Sequence, residues 1–309
     1  MRRWLRWLAP CLLAIGALAG GVTAWQVEAA VPRASTAELP TPHPITPVLS
    51  VRRLPTVVAA PIAERRLTGD LATLAATLPA DSCLAVAGPD LRFGHRSDAP
   101  IVPASTTKLL TATAALVALG PDVRFRTAAV SVAAPLDGTL IGDLTLVGGG
   151  DPILASPDYA ARFLRQPQVF TDLDALAAAV QAAGVRQVAG AVVGDESRYD
   201  PARYVAGWPE RYISQNQTGP LSGLAVNDGF ERYPQLGGGD PLTPAADPAV
   251  NAAGVLTRLL EARGVDVVGD PRGGVAPAGA VEVAAIESAP LRDVVGQLLQ
   301  ESDNNTAEL

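Results

Sequence analysis

Pro103-Ala104-Ser105-Thr106-Thr107-Lys108-Leu109-Leu110 holds the one lysine of a 309-residue chain that carries 23 arginines. Wherever a plain positive charge serves, this sequence uses arginine; at one position it uses an amine. Arginine stays protonated at any ordinary pH, whereas a lysine loses its proton when burial or a neighbouring charge lowers its pKa. A serine at i and a lysine at i+3 share one helix face, so the amine reaches the hydroxyl. Pro103 before the helix leaves Ser105 in its first turn. There the positive end of the helix favours a developing alkoxide and disfavours a protonated lysine. Ser105 is therefore the candidate nucleophile and Lys108 its candidate base. The competing reading is a solvated helix lysine that escaped a drift towards arginine.

Downstream, Ser302-Asp303-Asn304 ends a helix predicted from about Pro290. A hydroxyl at Ser302 can relay a proton between Lys108 and a leaving amine. The carboxamide of Asn304 can donate to a substrate carbonyl and hold the lysine. Taken alone, the tripeptide is a helix-terminal turn. Other chemistries lack their residues. The only histidines are His43, in a proline-rich stretch, and His95, which reads as a surface turn residue, so the sequence argues against a Ser-His-Asp hydrolase and against a zinc site. Gly148-Gly149-Gly150-Asp151 is not followed by Gly-Lys-Ser/Thr and reads as a turn rather than a phosphate loop.

The length allows two domains, and 48% hydrophobic residues can build a sizeable core. A net charge of −7 argues against nucleic acid as a partner, because phosphate binding needs clustered cations. Arg2, Arg3 and Arg6 precede an uncharged stretch from Trp7 to Val27, the order of an export segment. Residues 1–30 are read as a cleaved signal peptide or a retained anchor in contact with the membrane, with the remainder outside the cytoplasm. Seven prolines between residues 31 and 61 read as an extended linker. Cys83 lies in the apolar run Ser82–Ala87 and is expected to be a buried strand thiol.

Periodicity predicts a helix from Glu64 to Leu78, a strand at 82–87 and a helix from Ala104 to Leu119. Residues 126–147 read as a hairpin turning at Asp137-Gly138. A helix at 172–183, a strand at 187–194, an irregular stretch at 196–245, a helix at 247–263 and a strand at 281–286 follow. The final residues run into a helical pattern with no stop signal, so the chain is expected to break off inside an element.

Further blocks occur in order along the chain: Gly142-Asp143-Leu144, Gly150-Asp151-Pro152, Gly190 to Asp195, Gly207-Trp208, Leu221 to Asn227, and Asp247-Pro248. With the Ser105–Lys108 and Ser302–Asn304 motifs, they resemble the D-alanyl-D-alanine carboxypeptidases and endopeptidases of the penicillin-binding protein 4 type, peptidase family S13, over residues 64–309. Class A β-lactamases place the two motifs closer together and carry a Glu-x-x-Leu-Asn that is missing here.

The resemblance implies an α/β (α+β) fold: a penicillin-binding, β-lactamase-like serine transpeptidase domain, residues 62–125 and 286–309, interrupted by an inserted mixed α/β domain, residues 126–285. It implies a serine-type carboxypeptidase or endopeptidase acting on peptidoglycan stem peptides without cofactor or metal, with β-lactams as inhibitors. Ser105, Lys108 and Ser302 would be catalytic and Asn304 substrate-binding. The family's third motif, Lys-Thr-Gly on an edge strand, does not occur; its expected place is beyond Leu309, which leaves part of the family's site outside this chain. Two alternatives stand beside the peptidase: a non-catalytic peptidoglycan-binding or scaffold protein, and a β-lactamase. Oligomeric state is not legible.

Overall fold

A computed structural model describes residues 54–88, 91–163, 165–234 and 241–309. The export segment and most of the proline-rich linker lie outside the described residues. Among the described residues no helix is long and apolar enough to cross a membrane. The chain divides into two compact units, Met1–Ile101 and Val102–Leu309.

In the first unit helix α1 spans Leu54–Ala75, so it starts earlier than the periodicity predicts and takes in the last part of the expected linker. Pro55 lies in its first turn, where the missing N–H has no partner to lose. Strands β1 (Leu84–Ala87) and β2 (Arg92–His95) form an antiparallel hairpin, with Leu84 opposite His95 and Ala87 opposite Arg92. Cys83 lies just before β1 and is exposed, which corrects the expected buried thiol. A two-stranded ribbon has no third strand to enclose the residues at its ends.

The second unit opens with a 3-10 turn, Ala104–Thr107, that runs into α2 (Lys108–Leu119). Then come β3 (Arg126–Ser131), β4 (Thr139–Leu140), β5 (Leu144–Val147), β6 (Leu154–Ala155), α3 (Pro157–Ala160), β7 (Thr171–Asp172) and α4 (Leu173–Ala182). Next are β8 (Gln187–Val188), β9 (Val192–Asp195), α5 (Glu210–Ser214), β10 (Phe230–Arg232) and β11 (Thr243–Pro244). The last elements are α6 (Pro248–Ala262), β12 (Asp266–Val267), β13 (Arg272–Gly273), β14 (Val281–Glu287), α7 (Leu291–Glu301) and α8 (Asn304–Glu308).

Five strands form a mixed sheet in the order β13-β9-β5-β3-β14, and a smaller parallel sheet runs β12-β8-β4. The expected hairpin exists as β3 against β5, with Ala128 opposite Val147 and Ser131 opposite Leu144. Its turn is also present: Asp137 and Gly138 both have positive φ, and Leu136 and Thr139 exchange two backbone hydrogen bonds of 2.9 Å. The strand after that turn, β4, leaves the hairpin and pairs with β8. The predicted strand at 187–194 is likewise two strands in two sheets. They part at Gly190, where a Cβ would sit 2.6 Å from Gly142 backbone atoms.

Helices α4 and α6 cover one face of the large sheet. Leu173, Leu176 and Val180 from α4 and Ala252, Leu256 and Leu260 from α6 pack with Leu144, Leu146 and Val192 as one core. A second core joins α2 to α7. In α7 the buried positions 291, 294, 295 and 298 follow the helical spacing i, i+3, i+4, i+7. On α2, Ala112, Ala115 and Leu116 face them. Lys108 lies on this same stripe, one turn before Ala112, and packing of α2 on α7 brings it towards the end of α7.

Candidate active site

Lys108 is 8% exposed although it is the first residue of an α-helix. Four oxygens surround its amine: Asn304 Oδ1 at 2.5 Å, the Ser302 carbonyl at 2.8 Å, Ser302 Oγ at 3.3 Å and Ser105 Oγ at 3.4 Å. The four residues singled out from sequence therefore meet at one nitrogen. No carboxylate lies within ion-pair distance of it among the described residues.

A neutral amine can be fully satisfied in this cage. A neutral amine has two N–H groups and one lone pair. The Ser302 carbonyl and Asn304 Oδ1 are acceptors only, so they take both hydrogens. The lone pair is left for a hydroxyl hydrogen, and two hydroxyls, Ser105 and Ser302, stand near enough to supply one. Burial lowers the Lys108 pKa from its ordinary 10.5, and the negative charges of Asp303 and Glu308 oppose that shift. The amine is desolvated without a salt-bridge partner, the condition in which a lysine acts as a base.

Each side chain has a local cause for its position. Ser105 is exposed and lies in the 3-10 turn rather than in the α-helix proper. The residue before it, Ala104, has φ of 47°, an unfavourable conformation for a side chain that is not glycine. The turn is closed by Thr106, whose N–H and hydroxyl both donate to the Pro103 carbonyl. Ser302 ends α7 in the left-handed region, φ 55° and ψ 39°, which turns its carbonyl onto Lys108. Asp303 caps α8: its carboxylate accepts from the Thr306 N–H and hydroxyl and from Gln297. Asp303 is a structural cap, and the two residues flanking it carry the contacts to the lysine.

Asn304 has a fixed orientation. Its Oδ1 accepts from Lys108, and its Nδ2 donates to the Gln217 carbonyl at 2.5 Å. Among the described residues the second N–H of that amide has no partner, so it can face a ligand.

A cleft of about 500 Å³ opens beside Ser105. Lys108 and Asn304 line it, together with a wall of Trp208, Tyr212, Gln217 and Thr218. Trp208 and Tyr212 pack edge to face at 6.3 Å, with the Arg211 guanidinium 5.0 Å from the Tyr212 ring. This wall comes from the stretch that looks irregular in sequence, and sequence reasoning assigned it no site residue. Gly207-Trp208 was the one signal there, as a block of the family resemblance. The arrangement offers a nucleophile, a base, a second hydroxyl and an amide donor along an open trough. That set suits acyl transfer to serine. Among the described residues no three His, Cys, Asp or Glu side chains group as a metal site.

A model of the D-Ala-D-Ala carboxypeptidase 3 (S13) family matches residues 86–237 and 233–309. The chain is 29% identical over 279 residues to a carboxypeptidase of Mycobacterium tuberculosis, covering 90% of this chain and 53% of that protein. It is 37% identical over 152 residues to a D-alanyl-D-alanine carboxypeptidase of an Actinomadura species, covering 48% of this chain and 24% of that protein. The chain thus spans about half the length of the mycobacterial relative. Its fold is similar to that of penicillin binding protein 4 from Haemophilus influenzae, with a TM-score of 0.52, 20% identity, and coverage of 67% of this chain and 55% of that one.

Proposed function

Since the chain belongs to the D-Ala-D-Ala carboxypeptidase 3 (S13) family, we propose that it acts outside the cytoplasm as a serine-type carboxypeptidase on peptidoglycan stem peptides and is acylated by β-lactams. The observation that carries this reading is the convergence of Ser105, Ser302 and Asn304 on the desolvated Lys108 amine. The basic-then-apolar order of residues 1–30 supports the location and membrane contact through that segment.

Ser105 Oγ attacks the carbonyl of the penultimate D-alanine, and its proton passes to Lys108 Nζ. The peptide C–N bond then breaks. The departing D-alanine nitrogen takes a proton through the Ser302 hydroxyl, which stands 3.3 Å from the same amine. Water cleaves the resulting ester, returning the serine and releasing the shortened peptide. The free N–H of Asn304 and the wall of Trp208 and Tyr212 hold the peptide in the trough. An endopeptidase would use the same steps with a different leaving amine.

The test is release of free D-alanine from a synthetic peptide ending in D-Ala-D-Ala. Release by the wild-type chain and none by Ser105→Ala is the expected result. A folded wild-type chain that releases no more than Ser105→Ala would contradict the reading.

A further inference from the structure

Asn305 follows the site asparagine but faces the other way. It is 3% exposed, and every hydrogen-bonding position of its amide is filled. Oδ1 accepts from the Gly219 N–H at 2.8 Å and from the Thr218 hydroxyl at 3.0 Å. Nδ2 donates to the Asp228 carbonyl at 3.0 Å and, more weakly, to the Gly219 carbonyl at 3.4 Å. One amide thus ties α8 to two separate segments.

Both segments are shaped to meet it. A Cβ on Gly219 would lie 1.9 Å from the Asp228 carbonyl oxygen, so the two strands of chain approach as only glycine allows. Asp228 has φ of 54°, and the Tyr159 hydroxyl donates to its carboxylate at 2.6 Å. Asn227, with φ of 57°, is held by the Ser156 N–H at 2.8 Å. This left-handed pair aims the Asp228 carbonyl at Asn305. Strain of this kind persists only where the surroundings enforce it.

The consequence reaches the cleft. Gln217 and Thr218 line it, and the Gln217 carbonyl is what Asn304 Nδ2 holds. Asn304 Oδ1 in turn holds Lys108. Two consecutive asparagines therefore clamp the 217–219 segment, one from the cleft side and one from the core side. We infer that Asn305 is a positioning residue that keeps Asn304 and the Gln217–Gly219 wall closed on the Lys108 amine. The inference rests on the reading of Ser105 and Lys108 as the acylating pair, but its test needs no turnover.

The chain has a single lysine, so lysine labelled with ¹³C at Cε gives one side-chain resonance that belongs to Lys108 without assignment. Its titration reports how well the cage excludes water. In Asn305→Ala, Gly219 and Thr218 lose their acceptor, the wall loosens, and water reaches the amine. The Lys108 midpoint is expected to rise towards 10.5, because the burial that lowers it is relieved. Thr218→Val keeps the volume and removes one of the four contacts, so it should shift the midpoint the same way by less. The double variant should move it no further than Asn305→Ala alone, because both act through one joint. Asn251→Ala is the control: that residue is a partly buried asparagine on α6 that donates to the Phe230 carbonyl, and its loss should lower the melting temperature and leave the lysine titration unchanged.

A folded Asn305→Ala with the wild-type midpoint would overturn the inference. Should Asn305→Ala fail to fold, a wild-type midpoint in Thr218→Val overturns it equally. A wild type that is not acylated by benzylpenicillin, yet whose Lys108 midpoint lies below 10.5 and rises in Asn305→Ala, would instead count against Ser105 and Lys108 as the acylating pair and leave the effect of Asn305 standing. The two failures are therefore distinct.

Discussion

Lys108→Ala is expected to slow acylation of Ser105 by about 10²–10⁴-fold, the usual contribution of a positioned general base. The variant leaves Ser105 with no proton acceptor within hydrogen-bond reach among the contacts described above. Lys108→Arg should not rescue it. A guanidinium keeps its proton at any working pH, and its planar fork does not fit a cage built around one nitrogen. The wild-type rate should rise with pH through the lysine's titration, because only the neutral amine accepts the proton. Burial sets that midpoint below 10.5, so the rise comes at lower pH than for an exposed lysine. Stability should follow the same direction. Between the lowered midpoint and 10.5 the unfolded chain binds the proton and the folded chain does not, so folding becomes more favourable as pH climbs through that window. Rates of β-lactam acylation for the three proteins, measured across pH, check both the size and the sign. Equal rates for wild type and Lys108→Ala would remove the lysine from the mechanism.

Gly194→Ala is expected to produce the largest loss of stability of any single methyl addition in the sheet, about 3 kcal/mol, at the upper end of ordinary overpacking. Gly194 lies in β9, the second strand of the five-stranded sheet, under the first turn of α6. A Cβ there would sit 2.1 Å from the Ala249 carbonyl oxygen. Both parties are backbone, so no rotamer change relieves the clash; α6 would have to lift off the sheet and uncover Leu256 and Leu260. Gly296→Ala provides the contrast. That glycine lies inside α7 with nothing within 4 Å of the added atom, and the change should stabilise by about 0.5–1 kcal/mol through helix propensity. Urea unfolding of the two variants should move in opposite directions. A Gly194→Ala midpoint matching wild type would mean that α6 does not lie on β9 as described.

The parts legible in the sequence are those whose signals are local or covalently close. Ser105 and Lys108 are three residues apart on one helical start, so residue type and spacing alone bring them together. Ser302 and Asn304 were found because the end of an amphipathic helix and a family motif coincide. The Asp137-Gly138 turn was legible because its backbone demands those residues. The rest of the cleft wall was not. Trp208, Tyr212, Gln217 and Thr218 lie in a stretch with no hydrophobic period, and Gln217 and Thr218 are held by Asn304 and Asn305 of α8, contacts that a sequence window does not contain. Asn305 was passed over for a related reason: adjacent asparagines look equivalent until the backbone turns one to the lysine and the other to the core. Strand breaks at β4 and at Gly190 were missed because short apolar runs read alike whether they stay in one sheet or cross to another. Cys83 was misplaced because an apolar run was taken to be a buried one.

The central claim is that Ser105 is a nucleophile activated by a lysine that gives up its proton. Intact mass after incubation with benzylpenicillin, on the wild-type chain and on Ser105→Ala, tests it most directly. Ring opening adds the whole inhibitor without losing an atom, so the account predicts a gain of one benzylpenicillin on the wild type and none on the variant. An unmodified wild type, or the same adduct on both proteins, would contradict it.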